Sequence, residues 1–145
     1  EGFAPGTRAW RNNNPGNIRY DGETWKGLAG SNYGFNVFVD LQYGVRAAVI
    51  NISNLIKAFG SIQAYVTAYA PPSDGNNTQA YIAAICAATG LQPIDVPPLN
   101  HDMMKAIARA HFEQENGKVL ADQYISDADL EAGLSLTPYG AGLLA

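Results

Sequence analysis

Cysteine is almost missing from this chain. Cys86 is the single thiol among 145 residues, which excludes an internal disulfide and a multi-cysteine metal centre. It falls in an apolar helical run, where a buried, inert thiol is the expected behaviour. Charge is scarce as well: Asp, Glu, Lys and Arg make up 15% of the residues, with a net charge of -4 and a pI near 4.9. No Lys/Arg cluster is present to neutralise phosphates, so nucleic acid and anionic membranes are not expected partners. No apolar run reaches the length of a membrane span, and no signal-peptide pattern is seen. His101 and His111 have no Cys or carboxylate at metal-ligand spacing, so neither a metal nor another cofactor is expected.

What is present is apolar. Hydrophobic residues make up 47% of the chain, which places it among globular proteins. A chain of this length buries about two thirds of its unfolded surface as one domain without disulfide help. One domain over 1–145 is expected, a monomer, with 1–7 and 135–145 as loose tails. Tyr33, Phe35, Val37 and Val39 alternate with smaller or polar residues, predicting a half-buried strand. Ile18 to Tyr20 would pair with it, leaving "DGETWKGLAGSN" as the connection. From Leu41 to Phe59 the apolar spacing becomes helical, with Asp40 as N-cap and Gly60 past the end. A second helix from Ser61 stops at Pro71-Pro72. Thr78 caps a third that ends at Gly90, and Asn100 a fourth that ends at Gly117. Ser126 to Gly133 forms a last short helix. The fold class is mainly α, an α+β domain of about five helices with a small N-terminal β element.

The stretch "RNNNPGNIRY", Arg11 to Tyr20, spends four of ten residues on asparagine. Asn, Pro and Gly are turn formers, and amides stabilise their own turns. Amides also donate and accept together, which suits sugar hydroxyls. The residues themselves leave both readings open.

A second feature lies in the fourth helix. With Met104 at zero on a helical wheel, Ile107, Ala108, His111 and Phe112 fall within about 80° of it. Glu115 comes at about 20°, inside that apolar stripe, and Glu113 at about 180°, facing water. An inward carboxylate either pairs with a buried cation or caps a loop, or it is kept neutral as an acid of raised pKa.

"FEQENG" resembles the Glu-Ser-Gly end of the catalytic helix in lysozyme-like transglycosylases and bacterial glucosaminidases. "NNPGNIR" is similar to the Asn-Asn-Leu-Phe-Gly-Ile-Lys motif of the glucosaminidases of glycoside hydrolase family 73. "FNVFVDLQYGVRAAVINISNLI" resembles the strand and helix that follow it there, and "YAPPSDGNNTQAYIAAI" their Tyr-Ala motif and next helix. The Glu helix comes last here instead of first, so the block order looks like a circular permutation. The same order is similar to phage virion-associated lysozyme-like proteins and to peptidoglycan glycoside hydrolase effectors of type VI secretion systems. The resemblance covers residues 8 to about 118.

The resemblance implies a peptidoglycan glycan-strand hydrolase, an N-acetylglucosaminidase, with Glu115 as general acid/base. A muramidase or lytic transglycosylase is the alternative within the class, and a structural or glycan-binding virion domain the alternative outside it. It implies that Asn12, Asn13, Asn14, Asn17 and Arg19 wall a glycan cleft, and that the Tyr69 hydroxyl lies near the reacting sugar. Delivery to the bacterial periplasm and wall would be by phage particle or secretion system, with a cognate immunity protein if the chain is an effector. The second carboxylate that most glycosidases use is sought among Asp21, Glu23, Asp40 and Asp74. Asp40 reads better as a cap. Trp25, Tyr20, Tyr33, Tyr65 and Tyr69 are read as sugar-stacking surface, and Trp10, Tyr43 and Tyr81 as packing. His111 is read as a satisfied core histidine.

Overall fold

The computed structural model describes residues 7–141. They form a mainly helical domain with a small antiparallel sheet, in the order α1 (Arg8–Asn12), β1 (Leu28–Asn32), β2 (Phe35–Phe38), α2 (Leu41–Phe59), α3 (Ile62–Tyr69), α4 (Thr78–Thr89), α5 (His101–Asn116), α6 (Lys118–Tyr124) and α7 (Asp127–Leu134). A single 3-10 turn, Pro72–Asp74, separates α3 from α4.

The long apolar spacings behave as their periods dictate. Helix α2 runs through the middle of the domain, burying Val45, Val49, Ile52 and Ile56 against Met104, Ile107 and Phe112 of α5 and Leu130 and Leu134 of α7. Each such side chain contributes about 1.5–3 kcal/mol by leaving water. Close approach needs small residues. A Cβ on Gly133 would lie 2.3 Å from Val45 Cγ1, and one on Gly44 would lie 1.8 Å from the Asn13 carbonyl oxygen. Basic side chains along α5 then hold the C-terminal helices: His101 and Lys105 both reach Glu131, and Arg109 reaches Asp122.

The helix caps differ in detail from expectation. Asn77, not Thr78, caps α4 by accepting from Ala80 N–H, which frees the Thr78 hydroxyl to donate to the Ala70 carbonyl at 2.6 Å. Asp40 stands at the α2 N-cap without a side-chain cap bond. Two short helices, α1 and α6, raise the number of α-helices among the described residues to seven. Neither has the length for a readable apolar period.

The β element is where the expected pairing fails. The partner of β2 is β1, drawn from inside the expected connection, with Asn32 opposite Phe35 and Leu28 opposite Phe38. Residues 18–20 contribute one isolated bridge, Arg19 to Phe35. Tyr33 and Gly34, with φ of 50° and 83°, form the two-residue turn that a right-twisted hairpin demands. Tyr33 is therefore 90% exposed at the tip, and Val39 is exposed too, while Asn36 and Phe38 are buried. An irregularity between Leu28 and Gly30 shifts the register, which a period-2 reading cannot anticipate.

The tail expected from residue 135 packs back on the domain. Thr137 is buried, and the Leu136 carbonyl accepts from Arg46 Nε at 3.3 Å. Thr7 is the N-cap of α1; residues 1–6 and 142–145 of the expected tails lie outside the described residues.

Candidate active site

Helix α5 ends where the asparagine-rich stretch turns. Gly117, at φ 84°, stops the helix, and Asn116 Nδ2 donates to the Pro15 carbonyl at 3.0 Å. One residue earlier, Glu115 Oε1 accepts from Asn17 Nδ2 at 3.4 Å. Across the same loop, the Tyr69 hydroxyl donates to the Gly16 carbonyl at 2.9 Å. Residues 15–17 are thus tied to the end of α5 and to the end of α3, although these segments are far apart in the chain.

Glu115 looks inward, as the wheel predicts. Its Oε2 accepts from the Tyr81 hydroxyl at 3.0 Å, and no Lys, Arg or His pairs with it among the described residues. Burial raises its pKa above the usual carboxyl range, against the opposing pull of the hydrogen bonds from Tyr81 and Asn17. Hydrogen bonds hold the carboxyl in place, while desolvation favours its protonated form. Glu113 is less exposed than the wheel predicts. Its carboxylate is bound by Lys118 Nζ at 3.2 Å beside Asp122, and partial burial raises its pKa as well.

The cleft in front of Glu115 encloses about 460 Å³, within the range of small-molecule sites. Asn17, Arg19, Tyr69 and Asp74 line it, joined by Arg8, Asn51 and Asn76. Arg8 and Arg19 both stack on the Phe35 ring, at 4.1 and 5.0 Å, and neither forms an ion pair among the described residues.

Neither the protein-family models nor the curated protein sequences contain a match to this chain.

Other expected site residues stay away from the cleft, and the reason is local. Asn13 caps α1 in the left-handed region at φ 51°, a conformation asparagine tolerates, and its Nδ2 donates to the Phe38 carbonyl. Asn14 is fully buried, bridging the Ile18 and Asn36 carbonyls while accepting from Ile18 N–H. Asn12 accepts from Asn32. These three amides fasten the loop to the β element. Asp21 is exposed, holds the Glu23 N–H and does not line the cleft.

The aromatic assignments change as well. Trp25 packs with Phe38 and Ala47 in a small second core, and Tyr65 is fully buried. Tyr81, read from the sequence as packing, does lie in the core, and its hydroxyl also donates to Glu115. Its spacing in α4 marks it as buried, and nothing in the sequence says what its hydroxyl meets.

Proposed function

We propose that this protein cleaves the glycan strand of peptidoglycan, as an N-acetylglucosaminidase in which Glu115 is the general acid. The observation that carries the reading is Glu115 itself: a carboxyl at a helix end, facing a cleft, held by neutral donors and unpaired with any cation among the described residues. A carboxyl in that setting holds its proton to higher pH than an exposed one and can deliver it to a glycosidic oxygen as the bond breaks.

The rest of the cleft fits an anionic glycan. Asn17, Asn51 and Asn76 offer amides to hydroxyl and N-acetyl groups. Arg8 and Arg19 offer guanidinium groups to the stem-peptide carboxylates that peptidoglycan carries. Asp74 shares the lining with Glu115, whereas Asp21, Glu23 and Asp40 do not. Asp74 is therefore our assignment for the second carboxylate, activating the water that completes hydrolysis.

Digestion of purified peptidoglycan followed by mass spectrometry tests the reading. Fragments with reducing-end N-acetylglucosamine are expected. Reducing-end or anhydro N-acetylmuramic acid would replace the glucosaminidase assignment by a muramidase or a lytic transglycosylase. An intact glycan that still binds the chain would favour a binding domain.

A further inference from the structure

Behind Glu115 lies a histidine that the proposed chemistry does not use. His111 is fully buried, with the rings of Tyr69 and Tyr81 at 4.8 and 5.0 Å and that of Tyr65 stacked at 5.9 Å. Its Nε2 lies 3.0 Å from the Tyr65 hydroxyl and its Nδ1 lies 3.1 Å from the Tyr81 hydroxyl. The titratable groups around it are these tyrosines, together with Glu115 one turn along α5. Burial lowers its pKa to about 3, so the ring is neutral at neutral pH and carries one N–H.

Proton counting then orders the chain of hydrogen bonds. An ionised Glu115 can only accept, so the single proton of Tyr81 goes to Oε2. The Tyr81 oxygen must in turn accept from His111, which places the ring proton on Nδ1. Nε2 is left bare, and Tyr65 must donate to it. Each group in the series Tyr65, His111, Tyr81, Glu115 has one role, and no donor is left over.

We propose that His111 is a positioning residue for the acid, a role that rests on reading Glu115 as the proton donor. By giving its Nδ1–H to the Tyr81 oxygen, His111 stops that hydroxyl from rotating and keeps its proton on Glu115 Oε2. The negative charge of the ionised carboxylate is thereby held on the inner oxygen. The transferable proton belongs to Oε1, the oxygen on the Asn17 side, where both residues line the cleft. Without His111 the Tyr81 hydroxyl is free to turn away, and the two carboxyl oxygens lose their distinction.

The test is spectroscopic first. Long-range proton–nitrogen NMR of the wild-type chain at a pH above the Glu115 titration should show His111 neutral, with Nδ1 protonated and Nε2 bare. Carbon NMR should show the Glu115 titration moving upward in Tyr81→Phe, which removes the donor to the carboxylate, and in His111→Leu, which frees that donor to turn away. Wall cleavage should fall roughly tenfold in kcat, with KM little changed, the worth of one hydrogen bond to a charge. An Nε2-protonated ring or an imidazolium in the wild type would overturn the proposal. So would an unmoved Glu115 titration in Tyr81→Phe, the variant that retains the aromatic ring if His111→Leu does not fold. An inactive wild-type chain with both signatures intact would count against the glycosidase reading and not against the hydrogen-bond order.

Discussion

Asn17 Nδ2 lies 3.4 Å from Glu115 Oε1, although the two residues are 98 positions apart in the chain. The contact joins the first loop of the domain to the end of α5, and the cleft opens where they meet. Asn17 adopts φ 48°, a left-handed conformation that asparagine enters at less cost than most residues. Its identity therefore serves the turn and the carboxylate together.

The pH dependence of stability follows from the burial of Glu115. Its pKa is raised in the fold, so the neutral acid is the favoured form. The stability tied to this group is fully present below the unfolded carboxyl range and is lost as pH rises through the folded value. Glu115→Gln is neutral at every pH. It should be more stable than wild type at pH 7 by about 0.5–2 kcal/mol, with the gap closing below about pH 4. Urea denaturation at both pH values measures this. A variant destabilised at pH 7 would show that the charged carboxylate is not strained.

Tyr69 lines the cleft with Glu115 and has its hydroxyl proton on the Gly16 carbonyl, which ties the loop beside the carboxyl. Tyr69→Phe should lower stability by about 0.5–1.5 kcal/mol and reduce turnover by up to roughly tenfold, through a looser loop beside Glu115. Melting curves and steady-state rates check both. Unchanged melting with a much larger loss of turnover would return the hydroxyl to the reacting sugar.

Gly44 permits α2 to touch the Asn13 carbonyl, where a Cβ would lie 1.8 Å from the oxygen. Because that neighbour is backbone, the loop must move. Gly44→Ala should cost about 1–3 kcal/mol, and wall cleavage should fall as Asn17 and Pro15 shift from the end of α5. A variant with wild-type stability would mean that the loop tolerates displacement.

Much of the helical frame is legible in the sequence because Val45, Val49, Ile52 and Ile56 repeat with the helical period over a long element, bounded by Asp40 and Gly60. The inward face of Glu115 is legible for the same reason. The hairpin is not, because Tyr33 occupies a turn position that Asn or Asp usually marks, and its aromatic ring looks like strand. Within "RNNNPGNIRY" the sequence shows amides without showing their partners. Asn12, Asn13 and Asn14 meet distant backbone or side-chain groups, while Asn17 meets the carboxylate. Tyr81 and His111 have the spacing of core residues, and their polar atoms acquire meaning when three helices bring Tyr65, His111, Tyr81 and Glu115 together.

On the proposed mechanism, only one of two nearby carboxylates on α5 delivers the proton. Turbidity loss of purified cell walls, followed for Glu115→Gln and Glu113→Gln beside wild type, distinguishes them. Glu115→Gln keeps its shape and can still accept from Tyr81, but it has no proton to give, so the rate should fall by about two to four orders of magnitude. Glu113 sits with Lys118 and Asp122 outside the cleft, and Glu113→Gln should cleave walls at close to the wild-type rate. A folded Glu115→Gln variant with wild-type activity, or an inactive Glu113→Gln beside it, would contradict the assignment.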